Sequence, residues 1–184
     1  MRTFHVAALA LTCLTVSTAF AQKAPDSVYG ELGYTQVTLS DPANTASSKP
    51  SALRAIVGYE MNRNFSVEGM LAMGVADGSI DVAVLGGTVS MKSKIDSMYG
   101  VFAKAKAEVA PGVELFGRVG YSKSNYTLSF PGASGSGSTD GIAWGLGGSY
   151  AVSPGVALTV DYMSYYNKDG AKATGPTFGV SFKF

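Results

Sequence analysis

The stretch Gly175-Pro176-Thr177-Phe178-Gly179-Val180-Ser181-Phe182-Lys183-Phe184 decides how the rest of the chain reads. From Phe178 onward, large apolar residues (Phe178, Val180, Phe182, Phe184) alternate with small or polar ones (Gly179, Ser181, Lys183). A period of two belongs to a strand with two unlike faces. A complete apolar row on such a strand is a sticky free edge in water unless it pairs with the first strand of the chain and closes a barrel. Closure, with Phe184 sealed against the strand at Val28, is therefore the central structural expectation.

At the other end, residues 1–5 precede an apolar run over 6–20 and the small-residue site Ala19-Phe20-Ala21. This is the pattern of a secretory signal peptide cleaved after Ala21, and its apolar core is too short for a spanning helix. The single Cys13 and the single His5 both lie inside it, so removing 21 residues from 184 leaves 163 that contain neither. Arg2 leaves as well, and 13 basic residues then face 13 acidic ones. A formally neutral chain offers no basic field for nucleic acid. An exported chain without disulfides must draw its stability from a core, a sheet or a membrane. The expected organisation is a signal peptide over 1–21 and one domain over 22–184.

No apolar stretch after Ala21 approaches the roughly 20 residues of a membrane helix, yet 46% of the chain is hydrophobic and 23 residues are glycine. Alternating strands hide from a hydropathy window. Eight segments show the alternation. In the first, over 28–37, Val28, Leu32 and Tyr34 oppose Tyr29, Glu31 and Thr35. In the second, Leu53, Ala55, Val57 and Tyr59 oppose Arg54, Gly58 and Glu60. Phe65, Val67, Leu71, Met73 and Val75 oppose Ser66, Glu68, Met70 and Ala72 in the third. In the fourth, Tyr99, Val101 and three alanines oppose Phe102, Lys104 and Lys106. The fifth sets Val113, Leu115, Val119 and Tyr121 against Glu114, Phe116 and Arg118. The sixth sets Ile142, Trp144, Leu146 and Tyr150 against small residues, the seventh sets Leu158, Val160 and Tyr162 against Thr159, Asp161 and Met163, and the closing stretch is the eighth.

Between them, short connections (61–64, 110–112, 153–155) alternate with long ones (40–51, 77–94, 130–141, 166–174). That asymmetry is the one found in outer-membrane barrels. In the second long connection a bulge is expected at Gly78 and a hairpin turn at Gly86-Gly87. The third, with Gly132-Ala133-Ser134-Gly135-Ser136-Gly137-Ser138 at its centre, reads as a flexible loop. It lacks the Gly-Lys-Ser/Thr ending of a phosphate loop, and Gly145-Leu146-Gly147 opens no strand-to-helix turn, so neither stretch signals a nucleotide site.

Alternation alone does not say which face is inside, since a soluble barrel with an apolar lumen alternates too. Three features favour a lipid-facing apolar row. Aromatics cluster near both ends of these rows, Tyr59, Phe65, Tyr150 and Phe184 toward the short turns and Tyr34, Tyr99, Tyr121, Trp144 and Tyr162 toward the long connections, as two interfacial girdles do. The opposite rows are small enough for an eight-stranded bore. They also carry both signs of charge, Glu31, Glu68, Glu114 and Asp161 against Arg54, Lys104, Arg118 and Lys183. A basic side chain facing lipid at mid-depth costs about 2–4 kcal/mol, so these eight are expected to pair inside the bore.

With these features in place, the chain resembles the small OmpA/OmpX-like outer-membrane β-barrel family, also labelled porin-family or outer-membrane β-barrel domain proteins. The resemblance covers 26–184 and is sharpest at Gly179-Val180-Ser181-Phe182-Lys183-Phe184. It implies that Gly179, Phe182 and Phe184 belong to an assembly signal read by the barrel-assembly machinery. It further implies an all-β, eight-stranded, antiparallel up-and-down barrel in the outer membrane of a Gram-negative envelope, in contact with its lipid. Barrel hydrolases and acyltransferases generally use histidine as general base, and the mature chain has none, nor the commonest metal ligands. The expectation is a non-catalytic protein without cofactor whose long connections meet a surface or envelope partner. The other readings are a narrow passive channel lined by Lys104, Arg118 and Asp161, and a soluble periplasmic carrier.

Overall fold

A computed structural model describes residues 27–41, 44–84, 87–130, 133–168 and 170–184. The expected signal peptide lies outside the described residues. The described chain forms β1 (Ser27–Gln36), β2 (Thr38–Asp41), β3 (Asn44–Ser48), β4 (Ser51–Glu60), β5 (Phe65–Ala76), β6 (Gly78–Val84), β7 (Gly87–Ala110), β8 (Val113–Phe130), β9 (Ala133–Ser153), β10 (Val156–Lys168) and β11 (Ala171–Lys183). Eight of these are the staves of a closed antiparallel barrel in the order β1-β4-β5-β7-β8-β9-β10-β11, with β11 returning to β1. The seam runs from Tyr29 opposite Lys183 to Thr35 opposite Thr177. Phe184 completes it by donating its backbone N–H to the Val28 carbonyl at 3.0 Å, so the edge foreseen as a liability is abolished by closure.

The three short connections are tight for local reasons. Asn62 Oδ1 accepts the backbone N–H groups of Asn64 and Phe65, each at 2.9 Å, which holds the first turn. Gly112 and Gly155 take φ of 75° and 76°, a left-handed backbone that residues with a Cβ adopt at a cost.

The side chains sort as the alternation predicts. Leu32, Val57, Leu71, Val101, Val119, Leu146 and Val160 are exposed on the outer wall, and so are all nine girdle aromatics. Glu31, Arg54, Glu68, Lys104, Arg118 and Asp161 are buried inside. A wall this apolar around a charged interior inverts the ordering of a soluble protein, and it removes the soluble carrier with its apolar lumen.

The long connections depart from expectation. The stretch 133–141 is strand, not flexible loop. It continues β9 in register with β8, from Ser122 opposite Gly141 to Phe130 opposite Ala133. Composition misleads here because backbone hydrogen bonds to a neighbour rich in β-formers (Tyr126, Thr127, Leu128) order a glycine-serine run that has no packing of its own. Gly137 serves this pairing, since a Cβ there would sit 2.8 Å from the Tyr126 ring. Similarly, the stretch 40–51 contains the β2–β3 hairpin, and 166–174 closes tightly with Lys168 opposite Ala171 and Gly170 at φ 83°.

In the stretch 77–94, β6 pairs with β7 from Gly78 opposite Ser93 to Val84 opposite Gly87. Gly87 is thus a strand residue and not a turn residue, and Gly86 lies outside the described residues. Between Ala72 opposite Met98 and Gly78 opposite Ser93 this side carries one residue more than β7, so the expected irregularity lies in the residues leading up to Gly78, and β7 has a further one against β8 between Ile95 and Ser97. Gly78 also permits a crossing, because a Cβ on it would overlap the Ser48 hydroxyl and Pro50.

Candidate functional site

Two chemically distinct layers fill the bore. At mid-height, Arg54 on β4 reaches Asp161 on β10 through both terminal nitrogens, Nη1 at 3.0 Å to Oδ1 and Nη2 to Oδ2. Its Nη2 also reaches Glu31 on β1 at 2.6 Å. Planar forks suit carboxylates in this two-point manner. Arg118 on β8 lies against three acids, with Nη2 3.4 Å from Glu31, Nε 3.3 Å from Glu68 and Nη1 3.6 Å from Asp161. Lys104 on β7 sits 3.4 Å from Glu68 and over the rings of Phe116 (4.3 Å) and Tyr29 (4.9 Å).

Lys104 and Arg118 are direct cross-strand neighbours, a repulsive arrangement for like charges. Glu68 relieves it by touching both, and the Tyr29 hydroxyl donates to Glu68 at 2.5 Å. Three carboxylates thus meet three cations drawn from six staves. The side chains of Arg54, Arg118, Glu31, Glu68 and Asp161 expose 0–1% of their surface, so they plug the bore.

Six of the eight foreseen charges therefore come together, and two do not. Glu114 and Lys183 lie at the short-turn mouth. There Glu60 accepts from Lys106 and Lys183, both at 2.5 Å, and from Ser27 at 2.6 Å, while Lys106 also approaches Glu114 at 3.4 Å. The reason is position along the strand. Lys183 precedes the last residue and Glu114 follows a turn, so both sit too near the rim to reach the centre. Glu60 and Lys106 share the inward phase and were readable from the alternation. Together with Lys104 and Tyr29 they line a vestibule of about 290 Å³ that opens through this mouth.

Above the plug the bore is apolar. Val37, Ile95, Met98 and Met163 are buried there, in one cluster with Ile56 and Met70, which pair with each other at the height where Ile56 stands opposite Glu31. Tyr165 separates the layers. Tyr165 continues the inward row of Thr159, Asp161 and Met163 and is 1% exposed, and the register of β10 shifts at this residue, between Ser164 and Tyr166. Its hydroxyl accepts from Arg54 at 3.4 Å and lies 3.3 Å from Thr35, and its carbonyl accepts from Ser122 at 2.7 Å. Alternation carried one step past Met163 reaches it. Beyond Tyr165 the strand extensions surround a chamber of about 280 Å³.

At the seam, Phe182 and Phe184 are exposed on the outer wall. Gly179 lies opposite Gly33, where a Cβ would come 2.7 Å from the Leu32 carbonyl. Among the described residues, no group of three or more His, Cys, Asp or Glu side chains could hold a metal ion.

The family described as outer membrane protein beta-barrel domain matches residues 6–184. Among solved structures, the attachment invasion locus protein Ail of Yersinia pestis is 21% identical with a TM-score of 0.62, covering 86% of this chain and 99% of its own. Neisserial surface protein A is 16% identical with a TM-score of 0.61, covering 85% and 97%. OprG of Pseudomonas aeruginosa is 13% identical with a TM-score of 0.58, covering 88% and 97%. No curated protein matches the chain.

Proposed function

Because the chain belongs to the outer membrane protein β-barrel domain family, we propose that it is an exported, non-catalytic outer-membrane protein that works through its strand extensions, with its bore kept shut. The observation that carries this reading is the central plug, six charged side chains from six staves packed across the bore with almost no exposed surface. An eight-stranded barrel has an interior only wide enough for side chains, and here they neutralise one another.

The extensions supply the working surface. β3 pairs with β2 and β6 pairs with β7. Among the described residues neither gains a second ladder. Open strand edges recruit extended partners through backbone hydrogen bonds. Ail, one protein that shares the fold, carries attachment in its name, which agrees with an outward-facing role.

Planar bilayers test the shut bore. The native protein is expected to give no unitary current, and the Lys104→Ala, Arg118→Ala double variant tests the plug directly. Stepwise current from the native protein, altered in the variant, would replace this reading with a narrow channel, for which the open vestibule speaks. Bacteria displaying the native barrel are expected to bind host cells or one another better than bacteria whose barrel lacks 79–92, both forms showing the shifted unboiled mobility of a folded barrel. Equal binding removes the role of the extensions. Mass spectrometry of the purified protein checks export, the expected first residue being Gln22.

A further inference from the structure

We propose that the chamber above Tyr165 is a binding site for a small uncharged molecule with a flat aromatic or compact apolar body and one polar group. Its volume is about 280 Å³, and an apolar cavity of about 150 Å³ already holds benzene. The inward residues Leu39, Ile95, Met98, Leu128 and Ala173 supply apolar wall. Polar groups are the Tyr126 and Tyr166 side chains, Ser40, Ser124, Thr139, the hydroxyl pair of Ser48 and Ser93, and Asn125, whose amide donates to Ser97. This is the chemistry of a small-molecule site, mostly apolar with a few convergent hydrogen-bonding groups.

Charge selects the class of occupant. Among the described residues, the only one with a full charge along the chamber is Lys172. It sits exposed beside the buried Ala173 on the same strand, so its side chain belongs to the opposite face. An anion or cation inside would lose its hydration without gaining a partner.

Two further features fit a site better than a passive filling. Tyr165 packs in one cluster with Val37, Ile95 and Met98 of the chamber wall while its hydroxyl meets Arg54, so it stands between the chamber and the Arg54 network. Met98 lines the chamber, and an unbranched thioether side chain adapts to different apolar shapes. The chamber also faces away from the short-turn mouth, so an occupant enters from the side of the extensions. The site is independent of any partner at the β3 and β6 edges.

The test uses the full barrel in lipid nanodiscs, labelled at the methionine methyl groups and titrated with 1-naphthol. Met73 on the outer wall is 68% exposed and reports partitioning into lipid. Met98 reports the chamber. The expected result is a saturable shift at Met98 beside a linear drift at Met73. Two filling variants, Ala173→Leu and Ser124→Leu, are expected to abolish the saturable shift and spare the drift, at least one of them keeping the shifted unboiled mobility. An unshifted Met98, a linear drift shared by Met98 and Met73, or a saturable shift that survives in a folded filling variant would overturn the site.

Discussion

Arg54 carries two carboxylates on one guanidinium in a place closed to solvent. Its side chain is 0% exposed, and Glu31 and Asp161 are each 1% exposed. Arg54→Ala takes the two-point partner from Asp161 and the shortest contact from Glu31 and leaves both acids to Arg118 alone, a change that costs about 3–5 kcal/mol when a buried pair is broken. The unfolding midpoint in lipid vesicles should fall accordingly. Arg54→Lys should recover part of the loss, because an ammonium keeps the charge and loses the two-point fork. Lys183 is the control with the same charge and a different setting. Its side chain is 52% exposed, so Lys183→Ala should cost no more than about 1 kcal/mol. Equal losses at the two positions would mean that the plug is not a desolvated network. These charges were legible as inward-facing from the period of two alone. Their division into a central cluster and a mouth cluster was not, because alternation gives the face of a residue and says nothing of its height.

At the scale of elements, the extensions are where reading by composition fails. The glycine-serine stretch of β9 has small side chains and nothing to bury, which is the signature of a loop. It is nonetheless paired over its length with β8. The order comes from the neighbour, so no window confined to the stretch itself contains the information. Hydrogen exchange decides between the readings. Backbone amides of Gly135, Gly137, Thr139 and Gly141, which share the phase of Ala151 in the β8–β9 ladder and so point at β8, should exchange slowly, at rates nearer those of the barrel wall than of free loops. Gly135→Pro removes one donor at a position with room for a Cβ and should release its neighbours without altering the unboiled mobility of the barrel. Uniformly fast exchange across 135–141 would mean that the hairpin does not hold. Tyr165 is a different case, since it continues the inward phase of Asp161 and Met163 and lies just past the residues that the seventh strand was read from.

For the whole molecule, strand length and the two faces answer to the membrane together. Crossing a bilayer takes about 9–11 tilted residues, and β7 runs for 24, β9 for 21 and β8 for 18. At about 3.3 Å per residue, β7 alone measures roughly 80 Å along the strand, so its upper part projects well past the lipid. The short staves β1 and β4, of 10 residues each, stop at the rim. The outer wall was readable because lipid imposes one rule on every stave. The bore was only half readable because charge, Tyr165 and an apolar cluster share it, and no single rule spans all three. Depth along the wall is what remains to be measured. Val119 follows Arg118 of the plug and is 55% exposed outward, which places it at mid-depth, whereas Tyr34 sits in the aromatic row toward the extensions. Val119→Lys should therefore cost about 2–4 kcal/mol, and Tyr34→Lys about 0–1 kcal/mol, in equilibrium unfolding from vesicles. A cheap lysine at Val119 would contradict a lipid-facing wall, because in water that substitution on an exposed strand face is nearly free.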